Sequence, residues 1–198
     1  MIDDNLNLVL PVIGDDEVIA SAFHTPLSRQ VFEANYQLFA LTKAELSSKG
    51  LHYQMDTGPR ICTYVLVDEA RKIAEASGRF DAHGNPDILK ATALLAEIKR
   101  LTMICVPEIT GWESVPVDTA IARGKIDQED WKELESSILF FTCHHFLTKK
   151  SDRKKLFLAV ASLLGGSVSS LPITEYANSL LTSMQNESSA QTPSSVAL

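Results

Sequence analysis

The sequence predicts a mainly α-helical protein with a small N-terminal β-hairpin, an α+β fold whose helices form a bundle-like single domain. The most apolar run, residues 137–166, repeats apolar side chains at the i, i+3, i+7, i+8 spacing of one helical face on both sides of a basic turn. Residues 5–23 show instead the short alternating runs of a hairpin. The predicted organisation is a domain over 1–185, with the hairpin over 1–24 and helices over 25–185, and a disordered tail over 186–198.

The composition is that of an ordinary globular chain. Of the 198 residues, 45% are hydrophobic and 22% are charged, so one substantial core is expected. The formal net charge of −7 argues against nucleic acid or an anionic membrane as a partner, because both attract a positive surface excess. Asp3 and Asp4 stand where a signal peptide carries basic residues, and no apolar run approaches the roughly 18 residues of a membrane span. We therefore expect a cytosolic protein.

The N-terminal hairpin is predicted from two short runs, residues 5–13 and 17–23. The turn between them contains Gly14 and two aspartates, which are typical turn residues. Pro11 favours an edge position for the first strand, because proline cannot donate a ladder hydrogen bond.

Three helices are predicted between the hairpin and Pro107. Threonine–proline, glycine–proline and proline–aspartate pairs mark their starts, and glycine or proline follows each end. The predicted helical spans are 25–50, 58–78 and 86–105, with a loop over 79–86 and an irregular segment over 108–116.

The C-terminal half is predicted to contain a helical hairpin, residues 137–166, and a last helix. Residues 117–123 form a short helix, and Asp127 caps the next one, whose acidic first turn suits the helix dipole. That helix leads into the first arm of the helical hairpin, and Gly165-Gly166 provides the left-handed cap of the second arm. A serine-rich link then leads to a helix over 171–184.

The sequence favours no enzyme. A Walker phosphate loop, a dinucleotide-binding glycine motif and a nucleophile elbow are absent, so we predict no catalytic residue and no cofactor. Cys143, His144 and His145 form the densest set of metal-ligand residues, but neighbours on a helix diverge by about 100°, which argues against one shared metal ion. We expect Cys143 and His145 to be partly buried and His144 to be more exposed.

The cysteines and the remaining histidines are expected to be structural or solvated. Three cysteines in apolar settings are too few and too scattered for a disulfide framework. They are expected to be reduced core residues: Cys62, Cys105 and Cys143. Three histidines stand alone in turns or near element ends and are expected to be solvated: His24, His52 and His83.

Lys150, Arg153 and Lys154 are the candidate partner-binding residues. They lie in the turn of the helical hairpin, among further lysines around Asp152, in a cluster too charged to be buried without partners. Three interpretations stay open: a solvated corner, a dock for an acidic protein surface, and a nucleic-acid contact. The last is disfavoured because the following helix is apolar and offers few side chains that read bases.

Six runs, taken in order, carry a resemblance to a known family: NLNLVLPV (5–12), HTPLSRQVFEANYQLFALTKAEL (24–46), LLAEIKRLT (94–102), GWESVPVDTAIARGKID (111–127), FFTCHHFL (140–147) and LLGGSVSSLPITEYANSL (163–180). Together they resemble tail assembly chaperones of long-tailed bacteriophages over most of the chain. The resemblance implies a non-virion factor of the host cytoplasm. Such a factor would coat the tape measure protein, keep it soluble and help tail tube subunits assemble around it.

A chaperone of this kind would need apolar grooves that cover its client weakly. We expect these grooves between the helical hairpin and the last helix. The first alternative is a structural or connector protein, a minor tail protein that stays in the virion. The second is a small enzyme of unknown class, which would require a pocket with convergent polar groups. The oligomeric state is not predicted.

Overall fold

A computed structural model describes residues 6–14, 17–109, 111–149 and 151–180 as a five-stranded sheet with helices on both faces. Within these residues the strands are β1 (Asn7–Gly14), β2 (Glu17–His24), β3 (Thr102–Glu108), β4 (Gly111–Pro116) and β5 (Ser167–Ser169). The helices are α1 (Arg29–Ser48), α2 (Leu51–Asp56), α3 (Gly58–Ala76), α4 (Leu89–Arg100), α5 (Val117–Ala122), α6 (Gln128–Phe146) and α7 (Arg153–Leu163). Helix α8 occupies 173–180 and reaches the limit of the described residues.

The sheet is antiparallel throughout, with the strand order β4-β3-β2-β1-β5. β1 and β2 form one hairpin and β3 and β4 form another, and the two pair through β2 and β3, where Ser21 lies opposite Cys105. The N-terminal hairpin predicted from the sequence is therefore confirmed. Its first strand is an inner strand, so the predicted edge position is wrong. Pro11 nevertheless lies beyond Val9, the last β1 residue that β5 pairs.

The predicted fold class, mainly α with a small β-hairpin, is wrong, because the hairpin is only part of a five-stranded antiparallel sheet. Strand β3 begins at Thr102 and replaces the expected end of the third helix. Strand β4 replaces the irregular segment expected over 108–116, and β5 lies in the serine-rich link. The described part of the span 25–185, predicted to be helical, thus contains three strands.

The continuity of the apolar run explains why β3 was mistaken for helix. Thr102, Ile104 and Val106 point to one face of the sheet, and Met103 and Cys105 point to the other. Helices cover both faces, so the first five of its seven residues, 102–106, are buried or half-buried. A strand buried on both sides shows no alternation, and its pattern resembles that of a buried helix.

The main core lies on the face of the sheet that carries α1, α3, α4, α6 and α7. Alternate strand residues such as Leu8 and Ile104 point into it, because side chains along a strand alternate between faces. Phe140 and Phe141 of α6 are buried in the same core. α6 is therefore the central helix of this core, as the predicted helical hairpin requires.

The opposite face of the sheet carries α8. Val9, Phe23 and Cys105 form a smaller core there with Ala177, and the rings of Phe23 and Tyr176 lie 5.3 Å apart. Where grooves are expected between the helical hairpin and the last helix, the structure has a small cavity of about 180 Å³, in which Gly165 and Gly166 at the end of the hairpin lie beside Tyr176 of α8.

Most other predicted helices are confirmed with shifted ends. α1 begins at Arg29, and its N-cap is Ser28, whose hydroxyl accepts a hydrogen bond from the Val31 amide. α3, α5, α6 and α7 lie where the sequence predicts them, while α2 was not predicted. The predicted tail over 186–198 lies outside the described residues. Within the described residues, no helix combines the length and the apolar character needed to cross a membrane.

Candidate protein-binding groove

A groove of approximately 360 Å³ opens on the helical side of the molecule, where α2, α3, α6 and the end of α7 meet. We call it the α2–α7 groove. Four of its residues are apolar and four are polar or charged. The apolar residues are Met55, Pro59, Leu163 and Leu164, and the others are Asp56, Arg60, Glu133 and Ser137.

Apolar side chains beside the groove are open to solvent. Leu163, at the end of α7, is 44% exposed, although the sequence assigned it to the buried side of its helix. Leu51 precedes Met55 by one turn on the same side of α2 and is 72% exposed. Tyr64 follows Arg60 by one turn on α3 and is 71% exposed. The apolar surface therefore continues beyond the groove along both helices.

Helices α3 and α6 approach each other closely beside the groove. A Cβ atom at Gly58 would lie 2.9 Å from the Phe140 ring, so only glycine allows this distance without a shift of the ring. Pro59 follows at the first turn of α3 and is buried. The glycine–proline pair predicted as a helix start thus also seats α3 against α6.

The end of α7 is held by its glycine cap. Gly165 has a φ of 67°, and the Gly166 amide donates to the Ala161 carbonyl over 2.8 Å, a pattern typical of a left-handed C-cap. A Cβ atom at Gly166 would lie 2.4 Å from the Val9 carbonyl oxygen. Gly166 therefore lets the chain pass directly against β1, which fixes the position of Leu163.

Three charged side chains around the groove have no ionic partner. Asp56, Arg60 and Glu133 are exposed, and none of them forms an ion pair within the part of the chain that the structure describes. Some other exposed charges are paired along their own helices, for example Asp68 with Lys72 at 2.8 Å, and others, such as Glu75, form no ion pair within the described residues. The charges at the groove are thus available to a binding partner.

The predicted basic corner is only partly displayed to solvent. Lys154 is exposed, Arg153 is half-buried at the start of α7, and Lys150 lies outside the described residues. The Nε atom of Arg153 is buried and has no hydrogen-bond partner among the described residues. The structure does not bring Arg153 or Lys154 into the α2–α7 groove, and a role for them in partner binding stays a prediction.

Arg153 acts on His145 electrostatically. Burial, followed by repulsion from the Arg153 guanidinium, lowers the pKa of His145 to about 4. The His145 ring packs edge-on against Phe157 with 5.0 Å between centroids. This histidine is therefore a neutral aromatic member of the α6–α7 contact near neutral pH.

His144 is buried and His145 is half-buried, so the predicted order of their exposure is wrong. The Gln54 amide donates to His144 Nε2 over 2.9 Å, and His144 Nδ1 donates to the Phe140 carbonyl over 2.8 Å. Burial lowers the pKa of His144 below its usual value. His144 therefore joins α2 to α6 as a neutral side chain.

His24 is also buried, which contradicts the prediction of a solvated ring. The Thr102 hydroxyl donates to the Ile98 carbonyl over 2.8 Å and accepts from His24 Nδ1 over 2.9 Å. His24 Nε2 has no hydrogen-bond partner within the described residues, and burial lowers the pKa of this imidazole to about 3. His52 and His83 are exposed, as predicted.

The three cysteines are free and buried, as the sequence predicts. Burial, followed by the influence of Cys143 on α6, raises the pKa of the Cys62 thiol on α3 well above its usual value. Among the described residues, no group of three or more histidine, cysteine or acidic side chains is arranged to hold a metal ion. The histidine and cysteine side chains of α6 are used instead in helix packing.

Sequence reasoning missed the groove residues for two reasons. Met55 lies on α2, a six-residue helix with few positions from which periodicity can be recognised. Leu163 falls on the apolar face of its helix, and only the assembled fold shows that this end of the face is uncovered. The Gly58-Pro59 pair is the sequence feature nearest to the groove, and from the sequence it indicates only where a helix starts.

The groove and the fold define an α+β protein with a helical surface on which apolar and charged side chains lie side by side. No protein-family model, curated protein or solved structure matches the chain.

Proposed function

We propose that the chain is a tail assembly chaperone of a long-tailed bacteriophage and that it holds its client in the α2–α7 groove. The observation that carries this proposal is a groove with a mixed apolar and polar lining that is open to solvent, with exposed apolar side chains beside it and unpaired charges along it. Exposed apolar surface of this kind, rimmed by polar residues, is typical of protein interaction sites.

The dimensions of the groove suit a chaperone. A volume of approximately 360 Å³ is at the low end for binding sites and receives a few side chains rather than a whole segment. A contact of that size gives modest affinity, so the client can be released when tail tube subunits replace the chaperone. Many copies along a long client would still keep its apolar stretches covered.

The client and the setting follow from the family resemblance. The proposed clients are the tape measure protein and the tail tube subunits, and the proposed location is the cytoplasm of the infected host. No catalytic step and no cofactor enter this function.

Co-expression with the tape measure protein of the same phage tests the proposal. We expect the chain to raise the soluble yield of that protein and to co-purify with it. Leu163→Glu places a charge at the groove and should reduce co-purification by about tenfold. Leu158→Glu is the matched control, because Leu158 is 49% exposed on the same helix and does not line the groove. Equal loss in both variants, or in neither, would contradict the groove as the client site.

Mass spectrometry of purified particles separates the chaperone from a virion component. A chaperone should be missing from finished virions. Detection of the chain in a fixed ratio to the tail tube protein would identify it as a structural or connector protein instead.

A further inference from the structure

We infer that the α2–α7 groove receives an amphipathic α-helix whose polar side chains beside the apolar stripe are lysine or arginine. This inference rests on the proposed function and specifies the part of the client that the groove recognises. It is drawn from the charges at the groove, the shape of its apolar surface and the elements that form its walls.

The charges favour a cationic partner. Two carboxylates, Asp56 and Glu133, stand at the groove against a single guanidinium, Arg60. None of the three is neutralised by an ion pair within the described segments. The chain as a whole carries a net charge of −7, which adds a long-range attraction for cations and repels acidic segments.

The walls favour a helical partner over an extended one. Helices α2, α3, α6 and α7 form the groove, and their backbone groups are mostly hydrogen-bonded within each helix. An extended segment lying there would find few backbone partners and would leave its own amides and carbonyls unpaired. A helix satisfies its backbone internally and presents apolar side chains at i, i+3, i+4 and i+7 to such a groove.

The apolar surface fits a helical stripe longer than one turn. Leu51 and Met55 lie one turn apart on α2, and Leu163 faces the same groove from α7. Glu133 and Ser137 lie one turn apart on α6 and form its polar side. A bound helix can therefore place leucine-like residues on one side and cations toward Asp56 and Glu133.

Two synthetic 18-residue helices provide the probe. Both carry the same leucine stripe and blocked termini, and their polar positions are all lysine in one peptide and all glutamate in the other. Fluorescence anisotropy with the full chain at about 50 mM salt measures both dissociation constants. We expect the lysine peptide to bind at least about tenfold more tightly than the glutamate peptide.

Charge reversal at the groove locates the contact. Glu133→Lys should weaken binding of the lysine peptide by about fivefold. Glu75→Lys makes the same change on an exposed side chain of α3, fifteen residues beyond Arg60 and thus about 22 Å away. This control should leave the dissociation constant within about twofold. Circular dichroism of both variants checks that the fold is retained.

The outcomes separate this inference from the proposed function. Equal binding of both peptides, with equal loss in Leu163→Glu, would overturn the cationic preference and leave the groove as the client site. Equal weakening by Glu75→Lys and Glu133→Lys would also overturn the inference, because the attraction would then come from net charge alone. Absence of binding by either peptide would overturn it as well, and the co-purification test with Leu163→Glu would decide the proposed function independently.

Discussion

Buried neutral histidines make this protein less stable in mild acid than at neutral pH. The pKa values of His24 and His145 in the folded state are about 3 and about 4, below the value of 6.5 expected for the unfolded chain. The unfolded state therefore binds more protons in the interval between these values. Above pH 6.5 both rings are neutral in both states, and the protein has its full free energy of unfolding. This free energy decreases as the pH falls toward the pKa values of the folded state.

We predict that the free energy of unfolding falls by up to about 1.4 kcal/mol per pH unit for each of these histidines between pH 6 and pH 4.5. Urea denaturation at several pH values measures this slope. His24→Leu should remove the contribution of one histidine from this slope, because the leucine side chain binds no proton in either state. His52→Leu changes an exposed ring and is the control. An unchanged slope in His24→Leu would contradict the buried neutral state.

A second residue-scale prediction concerns Gly166. A Cβ atom there would meet the Val9 carbonyl oxygen at 2.4 Å and Leu10 Cδ2 at 2.7 Å, and backbone cannot move aside as a flexible side chain can. Gly166→Ala should therefore lower the free energy of unfolding by about 2–3 kcal/mol. In Gly124→Ala the new Cβ atom has no neighbour within 4 Å. We therefore expect a loss of only about 1 kcal/mol, from the strain of a non-glycine residue at a φ of 64°. A smaller loss at Gly166 than at Gly124 would contradict the close approach to β1.

At the scale of elements, α6 depends on a reciprocal cap at its start. The Asp127 carboxylate accepts from the Glu129 and Asp130 amides over 2.7 and 2.8 Å, and the Asp130 carboxylate accepts from the Asp127 amide over 2.7 Å. Because α6 contributes to the core along most of its length, fraying of its first turn affects the whole domain.

We predict that Asp127→Ala lowers the free energy of unfolding by about 1 kcal/mol, the usual contribution of such a cap. The midpoint of urea denaturation at constant m-value measures the change. Asp127→Asn keeps an acceptor oxygen at the same position and should retain most of the stability. A loss in Asp127→Asn as large as that in Asp127→Ala would indicate that charge, rather than capping, stabilises this end of the helix.

The same element shows which parts of the fold the sequence predicts. The cap of α6 depends on residues within three positions of one another, and the sequence identified Asp127 correctly. The hairpin of β1 and β2 is equally local, since its turn joins two adjacent runs. Strand β5 is only three residues long, and its partner Asn7 lies more than 150 positions away, so no local pattern could reveal the pairing.

At the scale of the whole molecule, the α2–α7 groove arises only when distant parts of the chain come together. Met55 and Leu163 lie more than 100 residues apart, and neither of their helices has a sequence pattern that indicates a binding site. Long-range pairing of the sheet also places α8 on the face opposite the main core, where Tyr176 meets the glycine end of the helical hairpin across a small cavity. The sequence places Leu163 on an apolar helix face, and only the assembled fold brings Leu163 beside Met55.

Hydrogen exchange of the full chain, alone and in complex with the tape measure protein, tests the central claim most directly. We predict slower exchange in peptides that cover 51–64, 133–137 and 160–164, with little change in α8 and β4. Protection confined to α8, to β4 or to the turn around Lys154, with unchanged exchange in the groove segments, would contradict the account.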